Sequence, residues 1–148
     1  MSAGQERTSV VTGATDGIGF ETACGLAMSG DRVILVSRNK AKCESVCSKI
    51  KDITHNEKIS YYVADLSSIG QTKAICGKIM SDVKKIDILV NNVGAVFMKR
   101  AVNDEGIERT FALNHLSYFT VANELMESLK KSGGARVVNV SSGMHFKG

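Results

Sequence analysis

Hydrophobic and polar positions alternate along the chain in blocks of two kinds. Five short runs rich in valine, isoleucine and leucine are typical of strands that a parallel sheet buries on both faces. Longer stretches with apolar residues at helical spacing separate these runs, which predicts crossover helices. The predicted strands cover residues 8–12, 32–36, 59–64, 86–90 and 136–140.

Residues that cap and terminate helices support this alternation. Gly30 follows the first predicted helix as a stop signal, and Asn39 is placed to cap the second. Ser68 and Gln71 have the spacing of a capping box for the third. The predicted helices cover residues 17–29, 40–52, 69–83 and 104–131. The sequence therefore predicts an α/β fold with a mostly parallel sheet and right-handed crossovers, in a single domain over residues 1–148.

Three glycines occupy the turn between the first strand and the first helix. Gly13, Gly17 and Gly19 have the spacing G-x-x-x-G-x-G. Glycine allows a tight turn and the close approach of an anion, and the following helix offers free N–H groups and the positive end of its dipole. A plain strand–turn–helix of small residues is the alternative. The position of the loop in a βαβ unit favours a pyrophosphate cradle.

The end of the second strand bears on the cofactor. Arg38 lies about 20 residues beyond the last glycine, where a residue that contacts the adenosine ribose is expected. Ser37 and Arg38 stand there without an acidic residue, and an arginine can pair with a 2′-phosphate, so NADP(H) is favoured over NAD(H). A solvated arginine is the alternative. Asp16 counts against NADP(H), because a carboxylate in the glycine loop would repel the phosphate.

Polar and small residues also close the third and fourth strands. Asp65, followed by Leu66, can accept a hydrogen bond from an adenine amine or cap the next turn. Asn91, Asn92, Val93, Gly94 and Ala95 close the fourth strand, where two amides and a glycine suit a groove for the middle of the cofactor, with a structural turn as the alternative. In open α/β sheets, ligands lie beyond the carboxyl ends of the strands, so these residues belong to one candidate site.

Two further polar residues are candidates for chemistry. Asn114 falls within the apolar stripe of the long predicted helix, between Ile107 and Tyr118. A buried amide must be hydrogen-bonded, so Asn114 is expected to be a satisfied core residue or to hold a water or a catalytic group. Ser142 closes the fifth strand beside Ser141, where a hydroxyl can donate to a substrate carbonyl or alkoxide.

Composition narrows the class of protein. The chain is 43% hydrophobic and 23% charged, with a net charge of +4 and no dense basic run, so nucleic acid is not expected as a partner. Four cysteines without a C-x-x-C pair, with only three histidines, predict free thiols in a reducing compartment and no metal site. Residues 1–7 lack a signal-peptide core, and no apolar run reaches transmembrane length. A cytoplasmic protein is expected, and membrane association through a segment outside this chain stays open.

In combination and in this order, the motifs resemble the short-chain dehydrogenase/reductase family, and most of all its retinol dehydrogenase-like branch. Residues 12–19, 65–66, 91–94, 114 and 140–142 carry the resemblance, with Val93 where the family has alanine. It implies a Rossmann-type, doubly wound parallel sheet of order 3-2-1-4-5 that continues to strands 6 and 7. It also implies hydride transfer between nicotinamide and a small carbonyl or alcohol substrate.

The resemblance assigns roles to individual residues. It implies that Asn114 positions a water in a proton relay and that Ser142 orients the substrate oxygen. The residues predicted to contact the cofactor are Gly13, Thr15, Asp16, Gly17, Ile18, Gly19, Ser37, Arg38, Asn39, Asp65, Leu66, Asn91, Val93 and Gly94.

The family's Tyr-x-x-x-Lys motif has no counterpart in these 148 residues, since none of Tyr61, Tyr62 and Tyr118 has a lysine four positions on. The tyrosine is the family's proton donor, so the chain is expected to be the cofactor-binding front of an oxidoreductase, truncated before strands 6 and 7 and inactive alone. A fragment or truncated isoform is one hypothesis. A nucleotide-binding module that acts by binding or by subunit pairing is the other.

The valine-rich fifth strand is expected to form a sheet edge that no following helix in these residues covers. Exposed edges pair with other chains, so we expect the isolated chain to self-associate as a homo-oligomer or to be poorly soluble. Light scattering at working concentration should detect species larger than a monomer, and a monodisperse monomer would contradict the expectation.

Overall fold

The computed structural model describes residues 6–143. The prediction that residues 1–7 lack a signal-peptide core falls largely on residues 1–5, which lie outside the described part. Five parallel strands form one sheet in the order β3-β2-β1-β4-β5, as predicted. The strands are β1 Thr8–Thr12, β2 Arg32–Ser37, β3 Ile59–Val63, β4 Ile88–Asn91 and β5 Arg136–Asn139. The helices are α1 Gly17–Met28, α2 Lys40–Thr54, α3 Ile69–Asp82, α4 Arg109–Phe111, α5 Ser117–Glu124 and α6 Met126–Lys130, with a π-helical turn at Ala112–Leu116 between α4 and α5.

The central strand β1 is buried on both faces, whereas the edge strand β5 is exposed throughout. Successive residues of β1 point to opposite sides of the sheet. Val10 packs in a cluster with residues of α3 and α5, including Ile79 and Val121. Val11 packs in a second cluster with residues of α1 and α2, including Ala23 and Ile50. Both faces of β1 therefore need apolar side chains, which explains the continuous apolar runs of the sequence.

The predicted caps form, with one correction. Asn39 Oδ1 accepts a hydrogen bond from the Lys42 N–H at 3.0 Å, and Ser68 Oγ accepts one from the Gln71 N–H at 3.3 Å. The reciprocal half of the predicted capping box is absent from the described hydrogen bonds. Gln71 Oε1 instead accepts from the Asp65 N–H at 3.0 Å, which fastens the end of β3 to α3.

The prediction of one continuous helix over residues 104–131 is wrong, because the helix starts later and is interrupted. It begins at Arg109, where both Glu108 carboxylate oxygens accept backbone N–H groups, and it passes through the π-helical turn. A π turn holds more residues than the 3.6 of an α-helix, so the predicted apolar stripe rotates out of register. Asn114 is consequently exposed, and the neighbouring Leu113 takes the buried position.

Two aspartates join neighbouring strands at the amino ends of the strands. Asp31 is 1% exposed, and its carboxylate accepts from Ser9 Oγ at 2.6 Å and pairs with Arg7 at 2.7 Å. The Asp87 carboxylate accepts from the Thr8 N–H and from Lys85 Nζ, both at 2.8 Å. These contacts fix the amino end of β1 against β2 and β4.

The Asp87 carboxylate also accepts a hydrogen bond from Ser132 Oγ at 2.7 Å, in the turn that precedes β5. Burial raises the pKa of Asp87, but the hydrogen bonds from Lys85, Ser132 and Thr8 outweigh it and hold the pKa below the ordinary value of 3.8. A carboxyl group whose pKa is lower in the folded state stabilises the fold above its unfolded-state pKa, and this stabilisation is lost as the pH falls through the folded-state pKa.

We therefore predict that Asp87→Asn lowers the free energy of unfolding at pH 7 by about 1–3 kcal/mol, because hydrogen bonds to a charged acceptor are lost. Below the folded-state pKa the wild-type carboxyl is itself neutral, so the difference between the two proteins should close. Urea unfolding at pH 7 and at successively lower pH measures it. Asp52→Asn, on an exposed position of α2, is the control. A difference that is constant with pH would contradict the prediction.

Candidate functional site

The glycine loop between β1 and α1 packs directly against the end of β4. Gly13 has a φ of +64°, and a Cβ there would lie 2.8 Å from Val93 Cα. A Cβ on Gly19 would lie 2.3 Å from the Gly13 carbonyl oxygen and 2.5 Å from Asn92 Nδ2. Any side chain at these two positions would push the loop away from β4.

Gly17 differs from the other two glycines because its surroundings are open. Its φ is +48°, and an added Cβ would meet no atom of the described residues within 4 Å. It begins α1, and the side chain of the preceding Asp16 makes no capping hydrogen bond to that helix. The first turn of α1 contains no acidic residue, so its N–H groups and positive dipole end suit an anion. Ile18, the next residue, is 66% exposed.

Asn92 fastens the glycine loop, whereas the sequence analysis placed it only in the motif of residues 91–94 without a contact of its own. Its Nδ2 donates to the Thr12 and Gly13 carbonyl oxygens, both at 3.1 Å. In return, Thr12 Oγ1 accepts the Asn92 N–H at 3.0 Å and the Val93 N–H at 3.2 Å. The sequence contained one indication of this contact, the position of Asn92 beside Asn91. Neighbouring residues of a strand face opposite sides of the sheet, so only one of the two amides can reach the glycine loop.

Asn91 itself lies beneath the site rather than in it. It is 1% exposed, and its Nδ2 donates to Asn139 Oδ1 at 2.9 Å, which joins β4 to β5. Asn91 Oδ1 accepts no hydrogen bond from any of the residues 6–143. Asn91 therefore supports the sheet below the groove that the resemblance assigns to the cofactor.

The predicted polar residues of the β2 end lie close to the glycine loop. The hydroxyl oxygens of Thr15 and Ser37 are 3.2 Å apart. The Asn39 side chain is used to cap α2, so its amide oxygen is committed to the Lys42 N–H. The carboxylate of Asp16 is 3.1 Å from Lys42 Nζ. Lys42, which the sequence analysis missed, thus offsets the negative charge that counted against a 2′-phosphate.

A cavity opens between the ends of β2, β3 and β4. Asp65 lies there, and its Oδ1 accepts from the Ser67 N–H at 2.9 Å and from Ser67 Oγ at 2.7 Å. The carboxylate thus closes the turn after β3, as one of the two alternatives expected, and still faces the cavity. Leu66 is buried. The lining comprises Ser37, Arg38, Ala64, Asp65, Leu66, Ser67, Val93, Gly94, Ala95, Phe97, Arg109 and Leu113.

A wider groove continues from this cavity across the end of β5. Its lining includes both residues predicted for chemistry, Asn114 and Ser142, together with Tyr118. The Asn114 side chain binds the Ala95 backbone twice: Oδ1 accepts from the N–H at 2.9 Å, and Nδ2 donates to the carbonyl at 2.8 Å. The side-chain amide is therefore satisfied on the loop after β4, and the π-helical turn places it there.

Tyr118 is poorly suited to act as a proton donor in this groove. Its hydroxyl donates to the Val140 carbonyl at 3.1 Å, and burial raises its pKa above the ordinary value. A phenol whose proton is engaged and whose pKa is raised is poorly matched to proton transfer near neutral pH.

The four cysteines are free thiols, as predicted, and all four are buried. Burial raises the pKa of Cys76 to about 12. Within residues 6–143, no group of three or more potential metal ligands occurs. None of the helices in that range combines the length and the apolar character needed to cross a membrane.

Comparison with known proteins agrees with this geometry. The family model for short chain dehydrogenases matches residues 7–148. Human polyprenol dehydrogenase is 38% identical over 145 residues, which cover 95% of this chain and 44% of the relative. Mouse retinol dehydrogenase 12 is 40% identical over 139 residues, which cover 94% of this chain and 44% of the relative. The chain thus spans less than half the length of these curated relatives.

Solved structures share the fold of the chain. The complex of Pseudomonas aeruginosa RhlG with NADP superposes with a TM-score of 0.78 at 29% identity, over 92% of this chain and 54% of that one. An Escherichia coli CFT073 protein described as a short chain dehydrogenase, complexed with NADPH, gives 0.80 at 26% identity, over 96% and 61%. The predicted retinol dehydrogenase-like character is confirmed, and the chain belongs to the short chain dehydrogenase family.

Proposed function

We propose that this chain is the cofactor-binding part of an NADP(H)-dependent oxidoreductase that transfers hydride between nicotinamide and a carbonyl or alcohol. The observation that carries the proposal is the fastened glycine loop: Asn92 donates to the Gly13 carbonyl, Gly19 packs closely against both, and the surroundings of Gly17 at the start of α1 are open. Such a loop binds a pyrophosphate without first having to be ordered.

The preference for NADP(H) rests on charge at the end of β2. Arg38 lines the cavity, and a guanidinium matches a phosphate with two parallel hydrogen bonds. Lys42 adds a second cation and pairs with Asp16, so the carboxylate of the loop does not face the phosphate unpaired. Relatives with bound NADP or NADPH support this preference.

In this proposal the bound cofactor supplies or accepts the hydride, and the chain's own residues hold the reacting partners. Ser142 donates a hydrogen bond to the substrate oxygen from the groove that it lines with Asn114. Asn114 fixes the loop after β4 and, through the π-helical turn, the position of a water for proton transfer. Relatives named for retinol and polyprenol support an alcohol as the substrate.

We further propose a cytoplasmic protein that forms homo-oligomers. The four buried free thiols support a reducing compartment. Val137 and Val138 of β5 are 44% and 46% exposed, which supports pairing at this edge of the sheet.

Arg38→Ala should weaken NADPH binding roughly 10- to 100-fold, since a charge-assisted contact to the 2′-phosphate is lost. NADH, which lacks that phosphate, should bind the variant and the wild type within about twofold. Isothermal titration of the 148-residue chain with both cofactors measures this. Lys40→Ala removes an exposed cation two residues away and is the matched control. An equal loss for both cofactors would refute the phosphate role of Arg38.

The 148-residue chain should bind NADPH without measurable carbonyl reduction. The reason is chemical: Tyr118 is engaged with Val140, and none of the three tyrosines has a lysine four positions on. Absorbance of NADPH at saturating concentration, with a panel of aldehydes and ketones, should stay at the rate of the protein-free control. Robust turnover would show that the family's tyrosine and lysine are dispensable here.

A further inference from the structure

Phe97 and Arg109 line the same cavity as Arg38, and neither residue has been assigned a role so far. Phe97 lies in the loop between β4 and α4, and Arg109 is the first residue of α4. The Arg109 guanidinium carbon lies 4.5 Å from the centre of the Phe97 ring. Both side chains are half-buried, and both line the cavity that also contains Asp65.

The loop that carries Phe97 is anchored on both sides of the ring. On one side, the Asn114 amide holds the Ala95 backbone. On the other, the Glu105 carboxylate accepts the Ile69 and Gly70 N–H groups of α3, both at 2.9 Å. Phe97 also packs against the core cluster of α3 and α5. The ring is therefore a fixed support rather than a loose loop side chain.

The Arg109 guanidinium has no anionic partner in the part of the chain that the structure describes. Within residues 6–143 it forms no salt bridge, and its side chain donates no hydrogen bond to another protein group, whereas Arg7 pairs with Asp31. The half-buried guanidinium therefore keeps its hydrogen-bond donors available to a ligand in the cavity. The Phe97 ring lies against the guanidinium on one side, and Arg109 also lines the cavity, where a ligand can reach it.

We propose that Arg109, supported by Phe97, stacks on the face of the adenine base of the cofactor, while Asp65 contacts the edge of that base. The inference rests on the proposed function. The wall near Arg109 is apolar, with Val93, Phe97 and Leu113, which suits a flat base better than a phosphate. A guanidinium stacks favourably on a neutral aromatic face, and the contact with Phe97 restricts the movement of the Arg109 side chain.

This position differs from that of Arg38 in what it recognises. Arg38 extends from the end of β2 and is assigned to the 2′-phosphate, which only NADP(H) carries. Arg109 extends from α4, beyond β4, and is assigned to the base, which NADPH and NADH share. Loss of the Arg38 side chain is therefore expected to weaken the binding of NADPH alone, whereas loss of the Arg109 side chain is expected to weaken NADPH and NADH equally.

Arg109→Ala should weaken NADPH and NADH by the same factor, about 3- to 30-fold for the loss of one stacked cation. Reduced nicotinamide mononucleotide, which lacks the adenosine, should bind the variant as it binds the wild-type chain. Arg109→Lys keeps the charge without the plane and should recover only part of the affinity. Phe97→Leu removes the support and should lower the affinity for both dinucleotides. Arg100→Ala, an exposed arginine in the same loop, is the control.

Four results would overturn the inference: unchanged affinity in Arg109→Ala, a loss for NADPH alone, an equal loss for the mononucleotide, or full recovery by Arg109→Lys. Circular dichroism checks each variant's fold, and if Arg109→Ala does not fold, Arg109→Lys and Phe97→Leu decide the matter by the same comparison. A wild-type chain that binds neither dinucleotide would refute the proposed function as well. Wild-type binding with an unaffected Arg109→Ala would refute this inference alone.

Discussion

The hydrogen bonds between Thr12 and Asn92 are the constraint on which the candidate site depends. β1 lies between β2 and β4, so the chain leaves β1 on one side of the sheet and returns on the other, and a crevice forms at the carboxyl ends of the strands. At that point the Asn92 amide donates to the carbonyl oxygens of Thr12 and Gly13, and the Thr12 hydroxyl oxygen accepts the N–H groups of Asn92 and Val93, which follow β4. The loop is thereby held in one shape, in which Gly13 and Gly19 leave no room for a side chain.

The residues at the amino ends of the strands and those at the carboxyl ends have different roles. At the amino ends of the strands, Asp31 and Asp87 join neighbouring strands through buried or half-buried charge and contribute to stability. At the carboxyl ends, polar side chains either fix loops, as Asn92 and Asn114 do, or face the cavities, as Arg38 and Asp65 do. Local order at this edge means that little conformational entropy is lost when a ligand binds, which favours affinity.

Most of the fold followed from the sequence because a sheet buried on both faces requires continuous apolar runs, and the glycine spacing located the first turn. The interruption of the long helix did not follow, because a π turn has no residue signature comparable to a cap and shifts every later position on the helical wheel. That shift moved Asn114 from the predicted core to an exposed position. Lys42, Phe97 and Arg109 were missed, and the contact of Asn92 with the glycine loop was not predicted, because each acts through a partner distant in sequence and local patterns carry no information about such pairs.

The central claim is that the glycine loop fastened by Asn92 holds the phosphates of NADP(H). Amide NMR spectra of the 15N-labelled chain, titrated with NADPH, test it most directly. We predict that the largest shift changes fall on the loop from Gly13 to Gly19 and on Asp65, with the amides around Asp31 and Asp87 unchanged. Saturable binding that leaves the glycine loop unperturbed, or no binding at all, would contradict the claim.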